Sequence, residues 1–288
     1  MKKVILSAAI LLFAVFAHAQ SKNNDYHLDK DYTIAPTGKL SLRCSDAKVT
    51  IVGSNRSTAH VKIDREVVTK GWVFGTHEFS VDVSEHDGNL DIRDHSSGSV
   101  SMVGYHYEKY EIRIEVPAGV SISVDGDDGD FDLRDIQGSI NMTIDDGDIR
   151  LSGCTGKDFR FRMDDGDLTM DQGRGDLDID ADDADVDIRG GQFESIVADV
   201  DDGDLVIDTS LSDTGSYRID SQDGLVALTI ISGGGEFSIR HDDGHVTASG
   251  NFETLRESED YTQLKLANGN AKVSIQADDA RVKLSARL

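Results

Sequence analysis

Residues 140–170 read INMTIDDGDIRLSGCTGKDFRFRMDDGDLTM, and two copies of one short grammar are visible in them. Ile140, Met142 and Ile144 alternate with polar residues, a turn Asp145-Asp146-Gly147-Asp148 follows, and Ile149 and Leu151 resume the alternation. After a Gly-containing break the same order returns with Phe159, Phe161 and Met163, the turn Asp164-Asp165-Gly166-Asp167, then Leu168 and Met170. An apolar residue at every second position marks a strand with one buried and one wet face, so this stretch predicts short strands joined by Asp-Gly turns.

The grammar extends in both directions. The turn recurs as Asp127-Asp128-Gly129-Asp130 and Asp201-Asp202-Gly203-Asp204, with Asp182-Asp183-Ala184-Asp185 between, and continues at Asp223-Gly224 and Asp242-Asp243-Gly244. From Gly129 to Gly244 the intervals are 18, 19, 18, 19, 21 and 20 residues. So constant a period predicts an all-β solenoid with coils of about 18–20 residues, whose equivalent strands pair in parallel. The competing architecture is an antiparallel meander or sandwich, because Asp-Gly between alternating runs is also a strong hairpin signal.

Tyr110-Glu111-Ile112-Arg113-Ile114-Glu115-Val116-Pro117-Ala118-Gly119-Val120, running through Ser121 to Gly126 into the ladder of Asp-Gly turns, resembles the β-strand-repeat "putative adhesin" domains of bacterial envelope proteins. The resemblance spans roughly residues 39 to 285. It implies a right-handed parallel β-helix and a binding role without a defined ligand, and it brings no catalytic residues with it. On this reading, 1–19 is a signal peptide, 20–38 an extension, 39–116 an irregular β region with an aromatic cap, and 117–288 the repeat solenoid continuous with it.

The leader is read from Lys2 and Lys3, the apolar run Val4 to Phe16, and the small-x-small site Ala17-His18-Ala19. The run is too short to span a bilayer, which needs about 20 residues. Nothing later in the chain is long and apolar enough either, so the mature chain is expected to be exported to the periplasm, cell surface or exterior. The 54 acidic against 29 basic residues give a net charge of −25. Such a surface repels polyphosphate and anionic membrane faces, which excludes nucleic acid as a partner and leaves a glycan or an envelope protein. Cys44 and Cys154, 110 positions apart, read as two buried thiols rather than a disulfide framework.

Two constellations stand out. The turn carboxylates Asp127, Asp128, Asp130, Asp145, Asp146, Asp148, Asp164, Asp165, Asp167, Asp201, Asp202 and Asp204 would stack into an acidic edge. Calcium, a hard cation satisfied by carboxylate and carbonyl oxygens, is the one cofactor such an edge invites, although Asp also sits in these turns for its own geometry. Trp72, His77, Tyr105, Tyr107 and Tyr110 form the second, a candidate ligand patch, since exposed rings stack on sugars or anchor protein partners. Their alternative use is to close the open end of the solenoid core. The histidines His86, His95 and His106 lack a recognisable metal-ligand spacing, and Arg174-Gly175-Asp176 lies at a repeat break. No catalytic motif is present. Because the carboxylates recur in every coil, none is singled out as an active-site acid, so a polysaccharide-active β-helix enzyme ranks behind both a binding module and a calcium-binding repeat.

Overall fold

A computed structural model describes residues 25–242, 244–267 and 269–287; the expected leader lies outside them. Among the described residues there are twenty strands in one sheet and no helix. The amino-terminal strands are β1 (Tyr26–Tyr32), β2 (Lys39–Cys44), β3 (Lys48–Ser54), β4 (Ala59–His86) and β5 (Asn89–Pro117). The repeat supplies β6 (Ser121–Asp128), β7 (Phe131–Arg134), β8 (Ile140–Asp146), β9 (Ile149–Ser152), β10 (Asp158–Asp171), β11 (Arg174–Asp202) and β12 (Asp204–Ser210). It continues through β13 (Ser216–Ser221), β14 (Leu225–Ser232), β15 (Gly235–His241) and β16 (Val246–Ser249). The chain ends in β17 (Phe252–Glu257), β18 (Tyr261–Leu266), β19 (Ala271–Ala277) and β20 (Arg281–Ala286).

The coils pair in parallel. Ile122 lies beside Ile140, Ile140 beside Phe159, and Phe159 beside Leu177, so the strand preceding each Asp turn stacks on its equivalent. The strand following each turn stacks likewise, with Phe131 beside Ile149 and Ile149 beside Leu168. The Asp-Gly turns are therefore corners between two faces of a parallel β-solenoid, and the antiparallel reading fails for the coils. A hairpin would pair the two strands that flank its turn, whereas here each of them pairs with the neighbouring coil. The inward residues of both faces form one apolar column, in which Ile140, Met142, Phe159, Phe161 and Leu168 are almost fully buried. Each such side chain contributes about 1.5–3 kcal/mol by burial, and only neighbouring coils supply that burial.

Coils do not stack in chain order at either end. The last coil, β19 and β20, is inserted between two earlier ones: Val273 pairs with Tyr217 on one side and Phe237 on the other, and Leu284 with Leu228 and Ala248. The first coil is placed in the same way, Leu40 lying between Leu90 and Ile122, and Ile51 between Ile114 and Leu133. At the far end, β17 and β18 make an antiparallel hairpin. β18 pairs with β15, and Phe252 packs edge to face on Phe237 at 5.4 Å. The outermost strand, β17, carries Glu253, Arg256 and Glu257 and a register shift, features that discourage the addition of another strand. The parallel stack on the face containing β3 is ten layers deep, about 45 Å at the usual strand spacing. That is shorter than a stack of some 250 residues would be, because β4, β5 and the β17–β18 hairpin leave the coil path. Cys44 and Cys154 are both buried free thiols, and burial raises the pKa of each.

Candidate functional site

β4 and β5 pair antiparallel without interruption from His60 opposite Glu115 to His86 opposite Asn89. Both ends of this ribbon are fixed to the solenoid, through β1 and β3 at one end and β2 at the other. Between those anchors it leaves the coils and doubles back. Phe79, whose ladder partner is Ser96, touches Tyr110, whose partner is Arg65, at 5.3 Å between ring centroids. The base is closed by Tyr26, 5.6 Å from Phe79, and by the Arg65 guanidinium, 4.3 Å over the Phe79 ring. Arg65 is 2% exposed and its charge is met by Glu108 at 2.6 Å, the pairing that a buried cation requires. The ribbon is thus a folded arm with its bend midway, at Trp72 opposite Val103.

Strand parity sorts the arm's side chains. Residues opposite one another in an antiparallel ladder share a face, so Val68, Trp72 and Phe74 lie with Tyr107, Tyr105 and Val103 on the outer, convex side. These six are all exposed, Trp72 at 73% and Val103 at 71%, and they account for six of the nine exposed large apolar side chains among the described residues. Beside the bend Gly71 faces Gly104 with a positive φ at both, and a Cβ on either would lie 2.3 or 2.2 Å from the opposite strand's carbonyl oxygen. Of the expected patch, Trp72, Tyr105 and Tyr107 come together. His77 is half-buried on the concave side, and Tyr110 is buried at the base, where burial and then the charge of Asp94 raise its hydroxyl pKa. Phe74 and Val103 complete the face and Arg65, Phe79 and Tyr26 build its base; their parity was readable, but not the fold-back that gives parity its meaning. From Val67 to His77 and from Gly98 to Tyr107 the arm contains no Asp or Glu.

The turn carboxylates stack as expected: Asp128 is in register with Asp146, Asp146 with Asp165, and Asp165 with Asp183. Backbone bonds link the corners, with the Gly129 N–H donating to Asp146 O at 3.0 Å. Mutual repulsion is visible where the row is densest. Asp182 has its pKa raised by desolvation and then by Asp164 and Asp201, and Asp46 by burial and then Asp128 and Glu108. Among the described residues no three His, Cys, Asp or Glu side chains converge to hold a metal ion. His86, His95 and His106 are separately paired, with Asp91 at 3.7 Å, Asp82 at 3.2 Å and Glu108 at 3.7 Å. Arg174 opens β11 rather than projecting from a loop tip, and donates to Gln192 at 3.0 Å.

Fold and site together define a parallel β-solenoid from which a folded β-arm projects. The profile of the Toastrack DUF4097 family matches residues 37–285, and the chain belongs to that family. No curated protein matches it. Among solved structures it is similar to a "putative adhesin" of Bacteroides fragilis, with 13% identity over 92% of this chain and 98% of that one and a TM-score of 0.39. A "putative cell adhesion protein" of Clostridium sporogenes is 13% identical over 91% of this chain and 100% of that one, with a TM-score of 0.32. A "putative adhesin" of Parabacteroides merdae is 10% identical over 91% and 96%, also at 0.32.

Proposed function

We propose that this chain is an exported, non-catalytic binding module of the cell envelope, in which the solenoid is the scaffold and the arm is the contact element. The observation that carries the reading is the concentration of exposed apolar side chains on one face of one projecting element. Soluble proteins rarely leave a contiguous patch of this kind uncovered unless it is an interaction site. The base clamp of Arg65, Glu108, Phe79 and Tyr110 holds the arm folded, and its pairings with β1, β3 and β2 tie it to the scaffold, so the face is presented at a set place. The adhesion names of the structural neighbours point the same way, and the lysine-led leader supports export. Against an enzyme stands the repetition of carboxylates from coil to coil. Retention of the mature chain on isolated bacterial envelopes tests the reading: replacement of Trp72 and Tyr105 by Asp should abolish retention while leaving the melting temperature unchanged. Equal retention of the variant would refute it.

A further inference from the structure

Resting on the reading of the arm as the contact element, we infer that its partner is a lipid surface of zwitterionic headgroups, into which the bend of the arm dips. Three features of the arm favour this partner. First, the contact face is convex: the ribbon doubles back at Trp72 and Val103, which therefore form a tip rather than a floor or groove. A convex apolar tip fits a deformable medium, whereas a flat platform would suit a sugar ring and a flat face would suit a second copy of this chain. Second, the side chains are graded along the arm. Trp72, Val103 and Phe74 occupy the tip, Lys70 and Tyr105 form the next outward row on one limb, and Thr76 and Ser99 flank Phe74 on the other. Tyr and Trp rings favour the level of the headgroups, and a lysine stem reaches back to phosphate. From Trp72 to Lys70 is two residues, about 7 Å along a strand, within the 5–10 Å to which interfacial segments sink. Deeper entry is excluded because the ribbon has two open edges whose backbone groups would lose water.

Third, the charges match. The tip and both collars contain no carboxylate, in a chain whose net charge is −25. The first acids met on descending are Glu66 and Glu108 on one limb and Glu78 on the other, which sets a natural depth limit. The acidic body repels an anionic leaflet but is indifferent to a zwitterionic one, so lipid charge should weaken binding rather than drive it.

Trp72 is the single tryptophan of the sequence and lies at the tip, so the intact protein carries its own probe. The experiment measures Trp emission and flotation of the mature chain with phosphatidylcholine vesicles, then with vesicles containing phosphatidylglycerol. The expected result is a blue shift and co-flotation with phosphatidylcholine, weakened by phosphatidylglycerol and recovered by salt. Trp72→Asp should lower vesicle affinity at least about tenfold, and Trp72→Phe should retain most of it in flotation. At 73% exposure Trp72 can be replaced without disturbing the core, so a negative result reads binding and not folding. Absence of both shift and flotation, while envelope retention still depends on Trp72, would overturn the lipid assignment and leave the binding reading standing. A blue shift that grows with protein concentration without vesicles would assign the tip to a second copy instead. Loss of vesicle binding and of Trp72-dependent retention together would overturn both.

Discussion

Phe79 and Tyr110 meet edge to face at 5.3 Å, although the ladder separates their positions by the fourteen residues from Arg65 to Phe79. In an extended ribbon that separation would be about 46 Å. Their contact is what turns a long hairpin into a compact arm. Phe79→Ala removes the ring that Tyr110, Tyr26 and the Arg65 guanidinium all touch, and leaves Arg65 covering a cavity. The expected cost is about 3–5 kcal/mol for a buried Phe, concentrated in the arm. Limited proteolysis should cut within 66–109 much faster than in the parent, while hydrogen exchange in β8 to β10 stays slow. Equal protection of the arm in the variant would show that the contact does not hold it.

Two deletions of equal length should have opposite consequences. Asp158 and Asp176 are register partners, so removing 158–175 takes out one coil and brings the following one onto β8 in the same register. That protein should fold as a shorter solenoid with a cooperative melt. Removing 271–288 deletes β19 and β20, which pair on both sides, and strands β13, β14, β15 and β16 each lose a partner. It should expose two apolar strand edges and aggregate. Similar melting and solubility of the two would contradict the inserted position of the last coil.

The difference between those deletions marks what could be read from the residues alone. Period and parity were legible, and the register of Asp128, Asp146, Asp165 and Asp183 reproduces the intervals of 18, 19 and 18 residues. The stacking order at the ends was not. Val273, Ile275 and Ala277 present the same alternation whichever coil lies beside them, so local pattern carries no information about the neighbour. The arm was half legible: apolar residues occupy both parities around Trp72, which signals a strand apolar on two sides but not which side water reaches. That is settled by Phe79 finding Tyr110, a contact between distant segments that no local spacing announces.

Gly147 and Ala184 occupy equivalent corners yet should respond differently to substitution. Gly147 has φ +151°, and a Cβ there would stand 1.9 Å from the Gly129 carbonyl oxygen in the next coil. Gly147→Ala must move backbone against backbone, and an expected cost of about 1–3 kcal/mol should be read from the denaturant midpoint. Ala184 already carries its methyl group buried at 1% exposure, and Ala184→Gly should lose only about 0.5–1 kcal/mol. A neutral Gly147→Ala would mean that the coil spacing at the corner is not set by backbone contact.

Acidification should first stabilise and then destabilise this protein. The pKa values of Asp46 and Asp199 are raised in the fold, by burial first and then by Asp128 and Glu108 for the former and Asp220 and Asp201 for the latter. For such groups the stability held by the neutral carboxyl is complete below the ordinary Asp value of 3.8 and is lost as pH rises through the raised folded value. Lowering pH from neutrality toward that window therefore relieves the acidic edge, and the melting temperature should rise. Asp64 and Glu236 act in the opposite sense. The pKa of Asp64 is lowered, its hydrogen bonds to His27 and Lys62 outweighing burial, and that of Glu236 by Lys272 and Gln263. Their contribution is present above the ordinary values of 3.8 and 4.5 and disappears as pH falls through the lowered ones. The melting temperature should accordingly pass through a maximum on the acid side of neutrality, and added salt should flatten the rise by screening the edge. Chelation of divalent cations at neutral pH should leave the midpoint where it is, because the turn carboxylates form a row along the edge and do not converge on one point. A monotonic fall from pH 7 would show that paired carboxylates outweigh the crowded ones, and a drop on chelation would show that the edge holds a cation.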